Sequence, residues 1–121
     1  LWGETRGHVQ RLMAPALAAG QVVLAQGYIA RSPEGKTVTL GREGSDFTAA
    51  IVSNCLDAQQ MTVWKDVPGV LSANPKTDPS QASLLPLLSY EQAVRMTYYG
   101  ATVLHPNTIR PLFDKRIPLY V

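Results

Sequence analysis

A chain of 121 residues, 45% of them hydrophobic, has material for the core of one domain or of part of one. Its 11 basic and 9 acidic residues are too evenly balanced to argue for a nucleic acid or a membrane surface as partner. Cys55 is the only cysteine, so an internal disulfide is excluded and a reducing, cytoplasmic setting is the simplest expectation.

No stretch reaches the roughly 18 apolar residues that a membrane-spanning helix needs. The longest candidate, Met13 to Gln26, is cut by Pro15, Gly20 and Gln21, and nothing resembles a secretory signal. The chain starts at Leu1 and ends on the apolar run Ile117 to Val121, and both ends read as cuts through a longer protein.

In chain order, Val9, Leu12, Met13, Ala16 and Leu17 have the spacing of one helix face, and Gly20 stops that helix. Gln21 to Ala30 is rich in β-formers and predicts a strand. Ser32-Pro33-Glu34-Gly35 predicts a turn, and Lys36 to Leu40 completes a hairpin. After the loop Gly41 to Gly44, Ser45 is the expected cap of a helix with the stripe Phe47, Ala50, Ile51, Cys55 and Ala58. Met61 to Val67 predicts a buried strand, and Pro68-Gly69 a turn. A Pro-, Ser- and Asp-rich loop runs from about Ser72 to Pro86. Ser89 and Gln92 form a capping box for a helix with the stripe Tyr90, Ala93, Val94, Thr97 and Tyr98, closed by Gly100. A last helix spans Pro106 to Lys115 with Ile109, Leu112 and Phe113 inward, and Ile117 to Val121 is a strand. Strands alternating with short helices indicate an α/β fold with a largely parallel sheet and no domain boundary between residues 1 and 121.

Three segments could carry chemistry. Thr39-Leu40-Gly41-Arg42-Glu43-Gly44-Ser45-Asp46 joins a strand to a helix. Glycines let backbone approach a ligand closely, and the N–H groups that open a helix attract anions. Arg42 can grip a carboxylate through two parallel hydrogen bonds, and Ser45 adds a hydroxyl donor. Asp46 either favours the helix dipole in the first turn or faces a cation or lysine that neutralises a transferring phosphoryl group. The segment is neither a P-loop nor a dinucleotide fingerprint, because the residues and glycine spacing of both are lacking.

The second segment, Val63 to Leu71, holds Lys65 and Asp66 near the end of a strand, where open parallel sheets bind ligands. The alternative is a solvated charge pair before a turn. Trp64 is read as core. The third, Tyr98 to Pro106, holds His105, read as a structural histidine at the start of a helix. His8 is read as surface and Cys55 as core, and together with His105 they lack metal-ligand spacing.

Taken together, Thr-Leu-Gly-Arg-Glu-Gly-Ser-Asp-Phe-Thr-Ala-Ala from Thr39, Trp-Lys-Asp-Val-Pro-Gly-Val from Trp64 and Tyr-Gly-Ala-Thr-Val-Leu-His-Pro from Tyr99 resemble the aspartate kinases of the amino-acid kinase superfamily. The similarity runs from about Val22 to Val121, the second half of that family's catalytic domain. The resemblance implies a three-layer α/β/α sandwich around a mostly parallel sheet. It also implies transfer of the γ-phosphoryl of ATP, with Mg²⁺ held by the nucleotide, to the β-carboxylate of L-aspartate. That step opens the route to lysine, threonine and methionine.

By the same resemblance Arg42 binds the substrate α-carboxylate, Thr39, Glu43, Gly44 and Ser45 help seat aspartate, and Asp46 orients the catalytic lysine and the substrate. Lys65, Asp66, Gly69, Val70, Leu71 and Lys76 line the nucleotide site, and so does Thr102. The family commonly has Gly where Glu43 stands, Ala-Asp-Pro-Arg where Ala73-Asn74-Pro75-Lys76 stands, and Lys where Thr102 stands. Lys76 keeps the charge of that arginine but not its planar fork.

The resemblance also implies a lysine- and glycine-rich phosphate segment and an amine-binding glutamate, neither of which is found within residues 1–121. Regulatory ACT domains and any fused homoserine dehydrogenase are likewise expected outside residues 1–121. The expectation is therefore a chain that is inactive alone and part of a homo-oligomer when intact. Two other readings stand beside it. One is a superfamily member acting on glutamate, acetylglutamate, carbamate or UMP. The other is a non-catalytic α/β interaction module.

Overall fold

The computed structural model describes residues 2–101 and 103–121. Helix α1 spans Trp2–Ala18 and ends as the sequence predicts. The Gly20 N–H bonds the Leu17 carbonyl at 2.9 Å and the Gln21 N–H bonds the Ala16 carbonyl at 3.0 Å, with Gly20 left-handed. The predicted apolar stripe is not a core face, however. Leu12 is 70% exposed, Leu17 is also exposed, and no residue of the helix is buried. The reason is that α1 reaches its neighbour by a polar edge. The Arg6 guanidinium donates to the backbone carbonyl and to Oδ1 of Asn54, and the Gln10 amide donates to the Cys55 carbonyl.

Of the strand expected over Gln21 to Ala30, only its end is paired. Strand β1 (Ile29–Arg31) runs antiparallel to β2 (Thr37–Thr39) in the register Ile29 to Thr39. Residues 21–27 have no sheet partner among the described residues, and Val22 and Leu24 are almost fully exposed. A strand exists by its ladder, so β-propensity without a neighbour leaves only irregular chain.

Helix α2 (Gly44–Cys55) buries Ala50, Asn54 and Cys55, and β3 (Met61–Thr62) follows it. β3 pairs in parallel with β4 (Leu119–Tyr120), and the Val63 N–H extends the ladder to the Tyr120 carbonyl. Between them lie α3 (Tyr90–Tyr98) and α4 (Pro106–Phe113). The capping box on α3 is present, with Ser89 and Gln92 bonding each other's backbone.

His105 caps α4, its Nδ1 accepting from the Asn107 N–H at 3.2 Å where the helix begins. Cys55 is buried and His8 is exposed, both as expected. The core gathers Ala50, Met61, Val63, Leu112 and Ile117, with Tyr90 and Leu119 packed against it. Phe113, expected inward, is 48% exposed and meets the Tyr90 ring edge-on instead. Trp64, expected in the core, is 92% exposed. The alternation that continues past β3 turns residues 61 and 63 inward and residue 64 outward.

Asn54 ties three helices, because its amide also donates to the Pro111 carbonyl of α4 at 2.7 Å. Tyr90 donates its hydroxyl to the Ile117 carbonyl, and burial pushes its phenol above the ordinary 10.0. Burial likewise pushes the Cys55 thiol up. Both groups are neutral when protonated, so a raised folded value gives stability that is complete at lower pH and is lost as pH rises. The melting temperature should therefore fall as pH climbs through 10, and Tyr90→Phe should flatten that fall. An equally steep alkaline fall in the variant would contradict the assignment.

Candidate active site

The loop before α2 does not use Ser45 as its cap. Glu43 takes the cap position in a left-handed conformation (φ 54), with no side-chain hydrogen bond to the helix. Ser45 therefore lies within the first turn. Among the described residues, the backbone N–H groups of Ser45 and Asp46 meet no backbone carbonyl. Open N–H groups of this kind give a helix start its affinity for anions.

The loop is held from behind. The Tyr28 N–H donates to Thr48 Oγ1 at 3.0 Å, the Thr48 hydroxyl donates to the Gly44 carbonyl at 2.8 Å, and the Leu40 N–H donates to the Tyr28 carbonyl at 2.8 Å. The close approach needs glycine on both sides. A Cβ on Gly44 would stand 2.9 Å from the Tyr28 ring, and one on Gly27 would stand 2.9 Å from Ser45 Cα. Thr48 and Gly27 were not singled out from the sequence. The available signal for Thr48 was its place four residues after Gly44, where a hydroxyl can bond back along the helix.

Arg42 is exposed on this loop, and among the described residues its guanidinium has no hydrogen-bond or ion-pair partner. Thr39 is exposed at the end of β2. Asp46 points elsewhere. Its Oδ2 meets Lys65 Nζ at 3.0 Å, with both side chains about four-fifths buried (20% and 22% exposed). Oδ2 is itself shielded from solvent and makes no other hydrogen bond among the described residues, so the ion pair is its compensation. Glu43 also holds an oxygen, Oε2, that is shielded and unpartnered among the described residues.

Lys65 thus pairs with Asp46 and not with its neighbour Asp66, which is exposed. Gly69 and Val70 line a cavity of about 360 Å³, together with the 84–88 segment, Tyr90 and Leu104. Asp46 and Lys65 are not part of its wall. Leu71 bridges to Leu84 at the neck of the 72–83 loop, which the Ser72 N–H and Ser83 carbonyl help close at 2.9 Å. Lys76 is exposed in that loop, its N–H held by Asn74 Oδ1. Thr102 lies outside the described residues. The expected site residues therefore fall into two groups, one at the head of α2 joined by Lys65 and one around the 69–71 turn.

Comparison with known proteins gives the family. The model of the amino acid kinase family matches residues 3–121. The chain is 46% identical over 101 residues to the bifunctional aspartokinase/homoserine dehydrogenase 1 of Zea mays, covering 84% of this chain and 11% of that protein. It is 38% identical over 109 residues to the lysine-sensitive aspartokinase 3 of Escherichia coli, covering 90% and 24%. Among solved structures, E. coli aspartokinase III in complex with aspartate and ADP superposes with a TM-score of 0.82 at 34% identity, over 91% of this chain and 24% of that one. The aspartate kinase of Clostridium acetobutylicum gives 0.74 at 31% identity, over 92% and 25%. The chain thus spans a quarter or less of the length of these relatives. The α/β architecture expected from the sequence is that of these neighbours, seen here in part. The chain belongs to the amino acid kinase family, and the relatives it resembles are aspartokinases.

Proposed function

We propose that this chain is the second, nucleotide-binding half of an aspartate kinase catalytic domain, undivided from residue 1 to 121. The full-length protein transfers the γ-phosphoryl of ATP to the β-carboxylate of L-aspartate, forming 4-phospho-L-aspartate at the head of lysine, threonine and methionine synthesis. One observation carries the reading. Asp46 of the Arg-Glu-Gly-Ser-Asp loop and Lys65 of the Trp-Lys-Asp segment, from two stretches that resemble aspartate kinases, meet at 3.0 Å.

Phosphoryl transfer asks a protein mainly for positioning and charge neutralisation. Arg42, unpartnered on the loop, is the clamp for the substrate α-carboxylate. Ser45 and the open N–H groups of α2 complete the acceptor side with Thr39, Glu43 and Gly44. Asp46 organises the charges around the transferring group. Asp66, Gly69, Val70, Leu71, Lys76 and Thr102 form the nucleotide side. Mg²⁺ would ride on the ATP phosphates.

A preceding segment rich in lysine and glycine, an amine-binding glutamate, following ACT domains and a homo-oligomeric assembly belong to the same reading. So does a cytoplasmic setting. No helix among the described residues is long and apolar enough to cross a membrane.

Arg42→Ala in the full-length protein tests the acceptor side. Losing a charge-assisted pair worth about 1.5–3 kcal/mol should raise the aspartate KM by about 10- to 150-fold, with a smaller change for ATP. An unchanged aspartate KM would remove Arg42 from the site. The isolated chain should release no ADP in response to aspartate, and aspartate-dependent turnover by it would contradict the need for a completing segment.

A further inference from the structure

The alternation along β3 and beyond it sends Met61 and Val63 into the core and continues to Lys65 on the same face. On α2, Ala50 lies in that core and Asp46 lies one turn before it on the same side. The ion pair therefore forms at the rim of the core, where the end of the 61–65 segment passes the first turn of α2. Lys65 takes Oδ2, the solvent-shielded oxygen, and Oδ1 has no protein partner among the described residues. A carboxylate beside an incoming anionic substrate is repelled and is free to rotate unless one oxygen is held and neutralised.

We propose that Lys65 is a positioning residue for phosphoryl transfer. It fixes the rotamer of Asp46 by holding Oδ2, offers Oδ1 to the reacting centre, and ties the nucleotide-side strand end to the acceptor loop. This rests on the aspartate kinase reading and adds to it a role for Lys65 exerted through Asp46, in place of a lining role in the nucleotide pocket. A lysine serves here because its ammonium is a compact point charge on a stem long enough to run along the apolar rim.

The test uses the full-length protein with Lys65→Met, Lys65→Arg, Asp46→Asn and the double variant Lys65→Met/Asp46→Asn. Melting temperature, kcat and both KM values are measured for each. Lys65→Met should lower kcat by about tenfold or more, as expected for loss of a charge-assisted contact, and leave the aspartate KM within about twofold. Lys65→Arg should recover most of the loss. On the Asp46→Asn background, Lys65→Met should change kcat by less than about twofold, since residues acting as a unit are not additive. If Lys65→Met does not fold, Lys65→Gln is read in the same way.

Multiplying effects in the double variant would overturn the proposal. So would a raised ATP KM at constant kcat, which marks direct nucleotide binding, or a lowered melting temperature at constant kcat, which marks a structural staple. In each of those cases wild-type turnover of aspartate would leave the functional reading standing. A wild-type protein with no aspartate turnover would remove the reading and this role together.

Discussion

Asp46→Asn in the full-length protein should lower kcat for aspartate-dependent ADP formation by about 100- to 10,000-fold, the range seen when a group that handles charge or protons at a reacting centre is removed. The substitution is close to isosteric, so the fold should survive. The change removes the negative charge that Lys65 neutralises at 3.0 Å and that would organise the cations around the transferring phosphoryl group. Because the Asp46 side chain is about four-fifths buried, the loss is not made good by water. Both KM values should move far less than kcat. Steady-state kinetics with a coupled ADP assay would decide the matter, and a kcat within about threefold of wild type would place Asp46 outside the catalytic machinery.

The largest expected effect on stability is at Leu112. Its side chain is fully buried on α4, in the cluster with Ala50, Met61, Val63 and Ile117. These residues come from α2, the 61–63 segment, α4 and the approach to β4, so one side chain closes four elements. Leu112→Ala should cost about 2–5 kcal/mol, the sum of lost transfer energy and the cavity left behind. The neighbouring contacts favour the upper part of that range. The Asn54 amide bonds the Pro111 carbonyl at 2.7 Å, which fixes α4 against α2 and limits collapse into the cavity. Denaturant unfolding would measure the effect, and a loss below about 1 kcal/mol would mean that the cluster is not the centre of the fold.

Locally encoded features were legible in the sequence. The Ser89–Gln92 box, the Gly20 helix stop and the 32–35 turn each depend on a few adjacent residues, and each is present. Features that depend on distant chain were harder to read. Gln21 to Gln26 has the composition of a strand but lacks a described neighbour to pair with. The stripe on α1 has the right period, yet the helix meets α2 through Arg6 and Gln10. Trp64 is of a residue type more often found in cores, whereas the two-residue alternation that continues past β3 turns it outward. Ser45 has the side chain of a cap, but the left-handed turn at Glu43 starts the helix two residues earlier.

At the site, the sequence points to Asp46 and leaves open whether it serves the helix dipole or faces a cation. It did not supply Lys65 as that cation, because the partner lies 19 positions away and adjacency favoured Asp66. Only the packing of α2 on the 61–63 segment brings the two together.

The most direct measurement is acceptor-dependent ADP release by the full-length protein, run in parallel with L-aspartate, glutamate, acetylglutamate, carbamate and UMP. For an aspartate kinase, turnover is expected with L-aspartate, with accumulation of its β-phosphate and the other acceptors near background. Turnover with one of the others and none with aspartate, or no turnover with any of them, would contradict that reading.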